Sequence, residues 1–109
     1  MKIEVLQEQL MEGLSIVSRA VATRAQLPVL SHILIEAKNE GLVLSATDLE
    51  LGIKVKVSAK VLEEGRVAVP AKMFGEFLGS LNPGKVSLKL EKETLILSAP
   101  GYSGKLQTI

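Results

Sequence analysis

Leu42-Val43-Leu44-Ser45-Ala46 and Leu95-Ile96-Leu97-Ser98-Ala99 are near copies of one another, and the stretches before them run through the same order of patterns. A short apolar run comes first, then a helical period, then alternating strands. An internal repeat sets the architecture before any single residue is read, because each copy is a unit that must share its core with the next. The repeat predicts a β-α-β-β-β unit used twice. The fold class is therefore α+β, with two helices on one face of antiparallel sheets.

Working outward, residues 2–6 alternate polar and apolar and read as a strand. Leu6, Leu10, Leu14, Val17 and Val21 then recur at helical spacing with Met11 beside them, while Glu8, Glu12, Ser15 and Arg19 fall on the opposite face. Gly13 inside this helix costs about 1 kcal/mol relative to Ala, which tertiary packing has to offset. The period fails near Ala22, and Pro28 pushes Leu27 out of helical geometry. Strands are predicted over 31–36, 42–47 and 51–60, the last alternating Ile53, Val55 and Val57 with Lys54, Lys56 and Ser58. Residues 61–65 read as a turn and 66–69 as a short strand. Pro70 opens the second helix, whose apolar stripe is Phe74, Phe77, Leu78 and Leu81. Lys72, Gly75, Glu76 and Gly79 line its other side, and Asn82-Pro83-Gly84 ends it. Strands over 85–91, 94–99 and 105–109 complete about eight in all.

The chain has 109 residues, 47% of them hydrophobic and 23% charged, which fits one globular domain with a real core. Aromatic residues are 3% of the total, so the core is aliphatic and few rings are available to stack on bases. Thirteen basic and twelve acidic residues leave a net charge of +1, so bulk charge points to neither nucleic acid nor membrane. The absence of cysteine excludes disulfides, thiolate metal sites and cysteine nucleophiles, and it fits a reducing, cytoplasmic setting. The uncharged stretches 25–35 and 94–104 fall short of the about 20 apolar residues a membrane-spanning helix needs.

Little in the sequence is catalytic. No phosphate-cradling glycine loop and no zinc spacing occurs, and no cofactor or metal is implied. His32, the one histidine, has no evident triad partners. Asp48 and Glu50 share one side of an extended segment, where they form either a divalent-cation or acid–base pair or, on the preferred reading, a turn capped by Asp48. Gly75 and Gly79 match a helix-packing spacing and leave the backbone bare on the polar side. Arg24, in the loop after the first helix, and Lys72, in the first turn of the second, reach one phosphate backbone if the helices share a surface.

Leu27-Pro28-Val29-Leu30, then 44–50 (Leu-Ser-Ala-Thr-Asp-Leu-Glu), then Val69-Pro70-Ala71-Lys72 resemble, in order and spacing, the first domain of the bacterial DNA polymerase III beta subunit family. The likeness covers essentially the whole chain. It implies a DNA-clamp domain, a doubled β-α-β-β-β unit, spanning residues 1–109 as the first of three domains in a subunit. Two such subunits form a ring around duplex DNA, with helices lining the hole and sheets forming the outer wall. The implied role is non-catalytic: a processivity factor that tethers the replicative polymerase, with polymerase and clamp loader held by domains this chain lacks. Arg24 and Lys72 match family positions that touch DNA, and Leu106 matches a position in the subunit interface. The chain is expected to be a fragment. Two other readings remain: a small ligand-binding or hydrolytic domain using Asp48, Glu50 and His32, and an interaction domain whose last strand adds to a partner's sheet.

Overall fold

The computed structural model describes residues 1–22, 28–39 and 41–109. Strand β1 (Lys2–Leu6) turns Ile3 and Val5 inward and leads directly into helix α1 (Gln7–Val17), which buries Leu10, Leu14 and Val17. A 3-10 turn, Ser18–Ala20, ends the helix, and Val21 is already extended. A second 3-10 turn, Pro28–Ser31, precedes the meander β2 (His32–Lys38), β3 (Gly41–Thr47) and β4 (Gly52–Ser58). Then come β5 (Lys60–Glu63), β6 (Gly65–Pro70), helix α2 (Ala71–Gly79) and a second meander, β7 (Lys85–Glu91), β8 (Thr94–Ala99) and β9 (Tyr102–Gln107).

The strands form two antiparallel sheets, one in the order β5-β1-β7-β8-β9 and one in the order β4-β3-β2-β6. The repeat is visible in the register. Ile35 faces Leu44 in the first meander as Leu88 faces Leu97 in the second, and Leu42 faces Val57 as Leu95 faces Leu106. Each unit gives its first strand away. β1 pairs with β7 of the second unit, and β6 pairs with β2 of the first. Both sheets and both helices close on a single core containing Ile3, Leu10, Ile35, Leu44, Val69, Phe74, Leu78 and Leu97.

The helices lie side by side. Met11 and Leu14 of α1 approach Gly79 and Gly75 of α2, where added Cβ atoms would stand 3.8 Å from Met11 Cε and 3.5 Å from Leu14 Cδ2. The glycine spacing at 75 and 79 is thus a helix-packing face after all, within one chain. Gln7 Nε2 donates to Leu78 O at 2.9 Å, so the start of α1 sits beside the end of α2 and the pair runs antiparallel. Neither helix has a side-chain N-cap, but Gln7 N donates to Gly84 O at 2.7 Å and Glu8 Oε2 accepts from Gly84 N at 3.0 Å. These two bonds tie the first turn of α1 to the loop after α2.

Two strands differ from expectation. The single strand read over 51–60 breaks at Ala59, and the supposed turn at 61–65 holds β5, which crosses to the other sheet and pairs with β1. Its outward Lys60, Leu62 and Glu63 leave Val61 as the one packed apolar side chain, too little alternation to read. The last strand begins at Tyr102 rather than Lys105, because Gly104 occupies an inward position that the Phe77 ring fills.

Candidate nucleic-acid interface

The outward side of the helix pair carries Glu8, Glu12, Ser15 and Arg19 from α1 and its 3-10 extension, and Lys72, Met73 and Glu76 from α2, all exposed. Antiparallel packing sorts these charges. Glu8 lies at the end where α1 starts and α2 finishes, whereas Arg19 and Lys72 are both at the opposite end. Arg24 falls outside the described residues. Arg19 is the functional candidate that sequence reasoning passed over. Its signal was a cation in the last turn of the polar face, but only the antiparallel crossing brings it to the same end as Lys72.

Arg19 sits where the α1 dipole favours a cation, while Lys72 sits in the first turn of α2, where the dipole disfavours one. Neither residue makes an ion pair among the described residues, where the two pairs are Lys85–Glu4 at 3.7 Å and Lys89–Glu91 at 3.1 Å. Two cations at one end of a helix pair can hold phosphate oxygens without reading bases.

Asp48 and Glu50 do not form a pair. Asp48 Oδ1 accepts from Glu50 N at 2.9 Å and Leu51 N at 2.8 Å, closing the turn between β3 and β4. The bond from Leu51, and then that from Glu50, hold its carboxyl below the ordinary value of 3.8. His32 lines a groove of about 710 Å³ with Thr47, Gly52 and Lys54, and neither Asp48 nor Glu50 lines it. Among the described residues no group of three or more His, Asp or Glu gathers into a metal site. No described helix is long and apolar enough to cross a membrane.

Leu106 is buried at 7% exposure in β9, one of the two edge strands of the five-stranded sheet. Together with Met73, Glu76, Phe77, Gly104 and Lys105 it lines a groove of about 410 Å³ between α2 and that edge. The other unit repeats this arrangement at one edge of the four-stranded sheet. There Gln9, Glu12, Gly13, Val55, Lys56 and Val57 line a groove of about 380 Å³ between α1 and β4. Most of the two sets correspond through the internal repeat, Gln9 to Met73, Glu12 to Glu76 and Val57 to Leu106.

The sequence family described as "DNA polymerase III beta subunit, N-terminal domain" matches residues 1–105. The beta sliding clamp of Synechocystis is 39% identical over 95 residues, covering 85% of this chain and 24% of that protein. That of Synechococcus elongatus is 35% identical over 109 residues, covering 98% and 29%. Among solved structures, Caulobacter crescentus pol III beta superposes with a TM-score of 0.95 at 30% identity, over 100% of this chain and 30% of that one. The chain spans less than a third of the length of the relatives it matches.

Proposed function

The chain belongs to the DNA polymerase III beta subunit N-terminal domain family, and we propose that it is the first domain of a three-domain clamp subunit. Two such subunits close a ring around duplex DNA in the cytoplasm and tether the replicative polymerase. The work is topological and non-catalytic. A ring that slides needs few, ionic and sequence-independent contacts, and a near-neutral domain with two exposed cations, in no ion pair among the described residues, at one end of its helix pair suits that need.

The observation that carries this reading is the pair of equivalent open edges, β4 and β9, each with the same groove beside a helix. A body with two matching edges extends a wall in both directions and keeps its helices on one side. On this proposal β9, with Leu106 in the groove floor and Met73 on its lip, receives a strand of the neighbouring subunit, and β4 receives the next domain of its own subunit. Arg24 and Lys72, joined by Arg19, face the DNA.

The test is salt-dependent DNA association of the full-length subunit carrying Arg24→Ala and Lys72→Ala. Losing two phosphate contacts lowers the log–log salt slope by about two. An unchanged slope rejects the site assignment. The 109-residue chain alone binds duplex DNA only weakly, and submicromolar affinity at physiological salt would contradict a topological mechanism.

A further inference from the structure

On the outward face of the four-stranded sheet, cations outnumber carboxylates three to one in two adjacent rows. Register places Lys54, Ser45, Leu34 and Ala68 in one outward row, and Lys56, Val43, Glu36 and Arg66 in the next. Three exposed cations therefore frame the half-buried Leu34 and Val43, with Glu36 the single carboxylate in those rows. None of the three makes an ion pair among the described residues. The outward face of the five-stranded sheet carries more charges of both signs, with Lys2, Lys60, Lys85, Lys89 and Lys105 interleaved with Glu4, Glu63 and Glu91, and both ion pairs lie there.

Beside the cationic rows, Val29, Leu34, Ala46, Ile53 and Ala68 make the apolar part of the 710 Å³ groove, with Lys54 on its rim. This volume is of the size that takes a few side chains of a ligand. Phe74, Phe77 and Tyr102 all lie off this face, which leaves the His32 imidazole of the groove lining and no platform of rings for successive bases. Apolar lining with an unneutralised cationic rim fits a protein segment better than a nucleic acid.

We propose that this face docks an extended acidic peptide whose apolar side chain enters the groove, while its flanking carboxylates meet Lys54, Lys56 and Arg66. The site is separate from the helix face and from the groove beside β9, shares Lys56 with the groove beside β4, and does not depend on the clamp reading.

The experiment is fluorescence polarisation of the 109-residue chain with a short fluorescein-labelled peptide, two leucines flanked by glutamates on both sides. Saturable binding that weakens as salt rises is expected. Lys54→Glu combined with Lys56→Glu weakens it by about tenfold or more, and Leu34→Thr weakens it at any salt concentration. Lys89→Glu, on the other sheet, leaves it unchanged. Absence of saturation, equal binding of a lysine-flanked peptide, or an unaffected double variant overturns the proposal. Displacement of the peptide by an equimolar single-stranded oligonucleotide also overturns it, by assigning the face to polyanions. Should the double variant fail to give a native melting curve, the wild-type salt series and the lysine-flanked peptide decide alone.

Discussion

Gly13 and Gly104 sit at places where the two halves of the molecule solve one packing problem in opposite ways. In the first unit the helix position is glycine and the strand supplies bulk: a Cβ on Gly13 would stand 2.7 Å from Val57 Cγ2 and 3.3 Å from Leu44 Cδ1. In the second unit the helix supplies Phe77 and the strand supplies Gly104, where a Cβ would stand 2.8 Å from the ring. Val57 is buried and stiff at χ1, so Gly13→Ala overpacks the contact. Overpacking of about 1–3 kcal/mol exceeds the about 1 kcal/mol returned by helix propensity. Urea unfolding should show a net loss of about 1 kcal/mol, and Val57→Ala in the same chain should be coupled to it in a double-mutant cycle. A stabilised Gly13→Ala would refute the contact. Asp48 gives a second residue-scale expectation. Its folded-state carboxyl titrates below the unfolded value of 3.8, so its capping contribution is complete above that pH and is lost as pH falls through the folded value. The stability difference between wild type and Asp48→Ala should therefore shrink over the acid range below pH 3.8. A constant difference across that range would show that the ionised carboxylate does not hold the turn.

At the scale of elements, the joint between α1 and α2 is held by one buried polar side chain. Gln7 is 7% exposed, and its amide satisfies the Leu78 carbonyl, one of the last in α2. Gln7→Ala leaves that carbonyl without its partner inside the core and should cost about 1–2 kcal/mol. Gln7→Glu offers no donor to the carbonyl when ionised and should be no better; full stability of either variant in thermal melts would mean that water replaces the bond. Most elements were legible in the sequence because their alternation was strong: Ile33, Ile35 and Ala37 point inward from β2, Leu42 and Leu44 from β3, and Leu95 and Leu97 from β8. β5 and the start of β9 were hidden for opposite reasons. One has a single packed apolar residue, Val61, and the other lends its inward position at Gly104 to a side chain from a helix. The candidate site divides in the same way. The exposure of Lys72 follows from the helical period, but its place at the same end as Arg19 requires the helices to run antiparallel, which no local pattern encodes.

For the whole molecule, the exchange of first strands decides how it folds. β1 finds β7 and β6 finds β2, so each sheet is completed by the other half of the chain. Neither half can satisfy its core alone, and long-range pairing dominates assembly. Fragments 1–64 and 65–109, cut between β5 and β6, should each lack a cooperative melt by circular dichroism. Mixed at equal concentration, they should recover a native spectrum and elute as a one-to-one complex. A cooperative transition in either fragment by itself would show two separable domains rather than one exchanged pair.

The amino-acid order alone determined that this is a doubled α+β unit with an aliphatic core, which faces of its helices and meander strands are buried, and which family it resembles. The fold class, core and buried faces follow from periodicity and composition, which act over a few residues at a time, and the resemblance rests on the motifs at 27–30, 44–50 and 69–72. Tertiary structure decided the rest: the strand exchange, the crossing of β5 to the other sheet, the glycine-lined helix joint, the placing of Arg19 and Lys72 at one end of the helix pair, and the cationic face of the four-stranded sheet. Each depends on the register and crossing of segments far apart in the chain, and these are fixed only when the two halves close on their common core.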